Sequence, residues 1–127
     1  MVKHISYEAM LDRPYDFIVQ YELIDQVDHN VKITQGMRSD FCFENEYLDC
    51  GYMIWPEFVN KSGEVVQDSN EVISKSGYAH MWILIEESRV ELKEKLKVGA
   101  IGYFLFGSHK VARAEIVNIE SFEASFL

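Results

Sequence analysis

The chain has 127 residues, 12 basic and 21 acidic, for a formal net charge of −9. That length fits one domain able to bury a core without disulfide or metal staples, and 48% apolar residues with 13% aromatics exclude a disordered chain. Acid outnumbers base almost two to one, which argues against a surface built on phosphate contacts.

Residues 1–14 read as a lead-in that ends at Pro14, with Ser6 capping one short turn through Met10. Residues 15–23 then alternate. Phe17, Val19, Tyr21 and Leu23 share one face, as in a half-buried strand. Residues 25–30 are polar and turn-like. Residues 31–33 form a second short alternating piece stopped by Gly36, and residues 38–43 a third strand with Phe41 and Phe43 on one side. Residues 46–55 are a further aromatic-rich strand, which Pro56 disrupts. Residues 56–77 are rich in Asp, Ser, Asn and Gly and read as loops with at most a short strand.

Residues 78–86 are strong strand material, with Met81, Ile83 and Ile85 on one face and Trp82 and Leu84 on the other. Apolar residues on both faces indicate burial on both sides, as in a closed barrel or sandwich. Ser88-Arg89-Val90-Glu91 fits a capping box opening one or two helical turns to about Lys97, with Glu91 and Lys95 in the favourable order four apart and Gly99 as the stop. Residues 100–106 are a strand, Gly107-Ser108-His109 a tight hairpin signal, and residues 111–119 the closing strand. The expectation is all-β: a single antiparallel, Greek-key-like barrel of six to seven strands, with one short helix and a long acidic loop.

The charge is concentrated. Residues 39–71 hold eight acids (Asp40, Glu44, Glu46, Asp49, Glu57, Glu64, Asp68, Glu71) against Lys61 alone, a net of −7, whereas residues 72–127 are neutral. Such a local excess can steer a basic partner. The first eight residues contain no apolar run and the longest apolar run is short, so neither a signal peptide nor a membrane span is expected and the cytoplasm is the expected compartment. Cys42 and Cys50 match no zinc or redox spacing, and Cys42, between Phe41 and Phe43, reads as an inert buried thiol.

Gly36-Met37-Arg38-Ser39-Asp40-Phe41-Cys42-Phe43 resembles the Gly-Tyr-Arg-x-Gln-Phe-x-Phe segment of the C-terminal β-barrel domain of elongation factor Tu. Gly102, Phe104, Phe106, Gly107, Val111, Ala112, Ala114, Ile116 and Val117 resemble the end of the same domain, and His29 stands where that family often has a His. Ser39 replaces the family's Pro, Ser76-Gly77 its Pro-Gly-Asp turn, and Arg113 and Glu115 interrupt the small-residue run of the last strand. The resemblance covers residues 15–119, with residues 50–77 as a variable insertion, and implies a stand-alone barrel. No phosphate-cradling Gly-x-x-x-x-Gly-Lys-Ser/Thr loop is present, so no nucleotide and no GTPase activity are expected.

No Gly-x-Ser-x-Gly elbow occurs, and His4, His29, His80 and His109 have no metal-ligand spacing. A Cys42–His80 pair across the barrel is conceivable, but both read better as ordinary strand residues. No catalytic residue, metal or cofactor is expected, and the chain is not read as an enzyme. The favoured function is a protein-binding barrel that engages a basic partner through Asp40, Glu44, Glu46, Trp55, Glu57, Phe58, Glu64 and Asp68, acid steering and aromatics anchoring. An immunity- or antitoxin-type inhibitor is one version. The alternative, carried by the resemblance, is an RNA- or translation-associated module using Arg38, Lys93, Lys97, Lys110 and Arg113, with Arg89 and Lys95 nearby. For Arg38 a structural ion pair with a strand neighbour is the preferred reading.

Overall fold

Six strands close on themselves in the computed structural model, which describes residues 3–24, 33–44, 46, 51–107 and 109–119. In chain order the elements are α1 (Tyr7–Leu11), β1 (Phe17–Leu23), β2 (Asp40–Phe43), β3 (Tyr52–Val59), β4 (Ser76–Ile83), α2 (Glu86–Leu92), β5 (Ile101–Phe106) and β6 (His109–Ile119). The barrel order is β1-β4-β3-β2-β5-β6, with β6 returning to β1 and every pair antiparallel. β2, β3 and β4 form a meander whose last strand lies beside β1, a Greek key as expected.

The two-residue period of each strand fills the lumen. Phe17, Val19 and Tyr21 of β1 face inward with Phe41 and Phe43, Ile54 and Phe58, Ala79, Met81 and Ile83, Phe104, and Ala112, Ala114 and Ile116. Ring pairs meet edge to face, Tyr21 on Phe58 at 5.2 Å and Phe41 on Phe43 at 5.4 Å. Leu92 and Leu96 complete the core at the end where β4 passes through α2 into β5. Ile33, Met37 and Ile73 complete it at the other end, where the backbone of Ile73 donates to Ile33.

Three expectations are corrected. Pro56 does not break a strand: β3 runs through it, and the 50–77 segment supplies a stave of the barrel rather than loop alone. Phe58 N and O bond the side-chain amide of Gln35, on the side away from β4. By the strand period the N-H that Pro56 lacks would point to that same side, where the β2 ladder has already ended at Met53. Ser88 is not a cap. α2 starts at Glu86, its N-cap Ile85 makes no side-chain bond, and Glu86 and Glu87 occupy the first turn, where the helix dipole favours acid. The strand that holds Trp55 starts at Tyr52 rather than at residue 46, with Gly51 outside it; residues 47–50 of the expected strand lie outside the described residues, as do Val31 and Lys32 of the expected second strand.

Other local readings match the structure. Ser6 accepts from Ala9 N at the start of α1, and Gly107 turns the β5–β6 hairpin at φ +64°, whereas α2 ends at Leu92 with Lys93 as its C-cap, short of the expected Lys97, and Gly99, at φ +94°, turns the chain toward β5. Cys42 is buried, and burial raises its thiol pKa.

Candidate functional surface

A lumen filled with rings leaves recognition to the outside of the barrel, and much of one outer face is covered. Residues 3–16 cross β3 and β4 as a strap. His4 Nε2 lies 2.7 Å from Glu57 Oε2, which also accepts from Tyr7 N at 2.9 Å. Tyr7 packs against Trp55 and Trp82, and Tyr15 stacks on His80 with ring centres 4.2 Å apart. Asp16 anchors the strap. Its buried carboxylate accepts from Arg13 Nη1 at 2.9 Å and Ile83 N at 2.7 Å, and lies 2.9 Å from Arg89 Nη2 of α2. Arg13 also donates to Ile83 O and sits over the Trp82 ring.

The expected acidic surface is therefore divided. Glu57 points outward from β3 but is only 2% exposed beneath the strap, and Phe58 has the inward parity and is fully buried. Glu57 cannot meet a partner while the strap is seated, and Phe58 belongs to the core. Glu44 and Glu46 lie at the α2 end, where Lys95 Nζ holds Glu46 at 3.0 Å and Tyr52 at 2.6 Å, and the Tyr52 hydroxyl donates to Glu91. Glu64 and Asp68 lie in the 60–75 loop at the opposite end, the length of β3 away, on the order of 20 Å at ~3.3 Å per residue.

Asp40 and Trp55 do share a face. Asp40 is paired across β2–β3 with Met53, which is 46% exposed, and Trp55 stands two residues further along β3. Arg38 lays its guanidinium over the Trp55 ring at 4.5 Å, so the neighbour it packs on is a ring rather than the expected carboxylate. Leu84 N donates to Met53 O, which brings the exposed Ile85 and Glu86 to the margin of this face.

The basic residues do not converge either. Lys110, at 4.0 Å over the Tyr103 ring, and Arg113, opposite Tyr103, lie outside β5–β6. Lys93 and Lys97 follow α2 at one end, and Arg38 precedes β2 on another side. Cys42 pairs with Tyr103 while His80 lies on β4 beside Ile18, so the structure does not bring this pair together across the lumen. Among the described residues no three His, Cys, Asp or Glu side chains converge as a metal site, and no helix is long and apolar enough to cross a membrane.

No sequence motif marks Asp16, His4, Arg13 or Arg89 for the buried contacts they make. The spacing Arg13-x-x-Asp16 immediately before an alternating strand was the one legible signal.

Burial pushes the Tyr21 hydroxyl from 10.0 up to about 12. Burial, and then the nearby Glu57 carboxylate, do the same for Tyr7 against an opposing pull from Arg38. Lys95 is held above the ordinary lysine range by the Tyr52 hydroxyl, against desolvation and together with Glu46. All three groups keep protons in the folded protein that the unfolded chain loses. Their contribution is full below the unfolded values and is lost as pH rises through the folded ones, so stability falls between about pH 10 and 12. Denaturant midpoints measured across that range should drop, and Tyr21→Phe should flatten the slope.

No protein-family model matches the chain, and no curated protein matches it.

Proposed function

We propose that the protein is a non-catalytic binding barrel that engages a basic protein through the outer face of β2–β3, with Asp40 and Glu44 as steering acids and Met53 and Trp55 as anchors. The observation that carries this reading is the exposed Met53 beside exposed Asp40, two residues along β3 from a half-buried Trp55. An apolar and aromatic centre with an acidic rim is the composition of a protein-recognition surface. The finer version is an immunity- or antitoxin-type inhibitor that occludes a basic cleft. The likeness of residues 36–43 and 102–117 to the C-terminal domain of elongation factor Tu, together with the closed six-stranded barrel, supports descent from that kind of scaffold without its GTPase.

The test is affinity capture with the tagged chain, at ~50 mM and at ~300 mM salt, where screening separates steering charges from buried contacts. A basic protein should be recovered, more at low salt. Asp40→Lys with Met53→Glu should abolish its recovery, whereas Glu64→Lys with Asp68→Lys, at the other end of the barrel, should not. Recovery that survives the first pair would overturn the assignment. The alternative RNA-binding reading rests on Lys110 and Arg113 beside Tyr103. It predicts a tRNA gel shift at ~50 mM salt that Lys110→Glu removes.

A further inference from the structure

We infer that the groove on the outside of β4, β1 and β6 is a binding site for a small organic anion carrying an aromatic ring. This site is separate from the β2–β3 face and does not depend on it. The groove has a volume of about 800 Å³, within the range of small-molecule sites. Its lining includes the apolar Ile18 and Val117, the rings of Tyr78 and His80, and the polar Lys61 and Asn118, with serines beside them.

Three features set this groove apart from ordinary barrel surface. The first is a bulge. Ile18 is opposite Asn118, but the next residue, Val19, is opposite Ile116, so Val117 is the extra residue on β6. A bulge of this kind re-aims side chains and is over-represented beside functional sites. Here it lets both Val117 and Asn118 line the groove, in a row with Ile18 and its other partner, His80.

The second is a preorganised overhang. Asn60 Oδ1 accepts from Ser62 N at 2.9 Å and from Glu64 N at 3.0 Å, Asn60 N donates to Glu64 O at 2.7 Å, and Gly63 takes a positive φ of 81°. These bonds fix the turn that presents Lys61 and Ser62. A rigid loop loses less entropy when a ligand docks.

The third is charge. In a chain of net charge −9 the groove carries Lys61, and none of the described residues lining it is acidic. Tyr15 stacks on one side of the His80 ring, which fixes its plane at the groove beside Tyr78. Ring faces give a planar group something to stack on. Lys61, with hydroxyl and amide donors around it, supplies the charge and hydrogen bonds that an anionic substituent needs.

The experiment is an amide-resolved NMR titration of the full chain with benzoate, phenyl phosphate and, as the uncharged control, benzyl alcohol. Saturable shifts at Ile18, residues 61–63, Tyr78, His80 and Asn118 are expected with at least one anion. Saturation by benzoate alone assigns a carboxylate ligand, and by phenyl phosphate alone a phosphate ester. Lys61→Met, on an exposed turn, should weaken that binding about tenfold, the size of one charge-assisted hydrogen bond, and Tyr78→Ala should weaken it as well. The proposal is overturned by the absence of saturable shifts up to about 10 mM anion. It is also overturned by equal binding of benzyl alcohol, or by shifts unchanged in both variants.

Discussion

Asp16→Ala is expected to destabilise the fold by about 3–5 kcal/mol, the cost of removing one partner from a buried ion pair. The carboxylate is fully buried and ties three parts of the chain together: it accepts from Arg13 in the strap and from the backbone of Ile83 at the end of β4, and it is ion-paired with Arg89 in α2. Without it Arg89, itself 8% exposed, would keep its charge in a site that water reaches poorly. Asp16→Asn should cost less, because its amide oxygen can still accept from Ile83 N. Denaturant unfolding of both variants checks the order, and Asp16→Leu with Arg89→Met, which removes both charges, should recover part of the loss. A cost below about 1 kcal/mol for Asp16→Ala would show that solvent reaches the site and that the network does not anchor the strap.

The strap also separates what was legible in the sequence from what was not. Alternation placed β1, β4, β5 and β6 because their inward residues are apolar over several positions, and a local pattern suffices for that. The same logic failed at Pro56. The hydrogen bond that proline cannot make is on the side where Gln35, some twenty residues away, takes over the pairing of β3. It failed again at Glu57. Its place in an acidic stretch reads as open surface, and the side chain does lie outside the barrel, but His4 and Tyr7, some fifty residues away in the chain, bury it. Both errors concern contacts distant in sequence, which no local period contains. The acidic stretch shows the same limit, since 33 consecutive residues traverse the barrel and leave their acids at both ends. The groove under the 60–63 turn was illegible for a further reason: its bulge depends on the pairing of β6 with β1, and the residues that line it are individually commonplace.

Gly102→Ala is expected to cost at least 1–3 kcal/mol, the range for overfilling a packed core, although the change adds a single methyl group. A Cβ at this position would run into Cε1 and Cζ of the Phe41 ring and would stand 2.8 Å from the carbonyl oxygen of Cys42. Residues 36–43 and 102–117 thus meet physically: the aromatic of the first segment lies over the glycine of the second, across the β2–β5 ladder. Phe41 cannot simply swing away, because its ring also packs against Phe17, Phe43 and Phe104. A double-mutant cycle separates the two obstacles. Phe41→Leu alone should be destabilising through the cavity it leaves, yet Phe41→Leu with Gly102→Ala should cost less than the sum of the single changes, because the ring that met the new methyl is gone. The saving should be partial, since the Cys42 carbonyl belongs to the backbone and stays in place. Additive costs would mean that β5 shifts as a whole to admit the methyl group, and that Gly102 reflects the path of the strand rather than the ring above it.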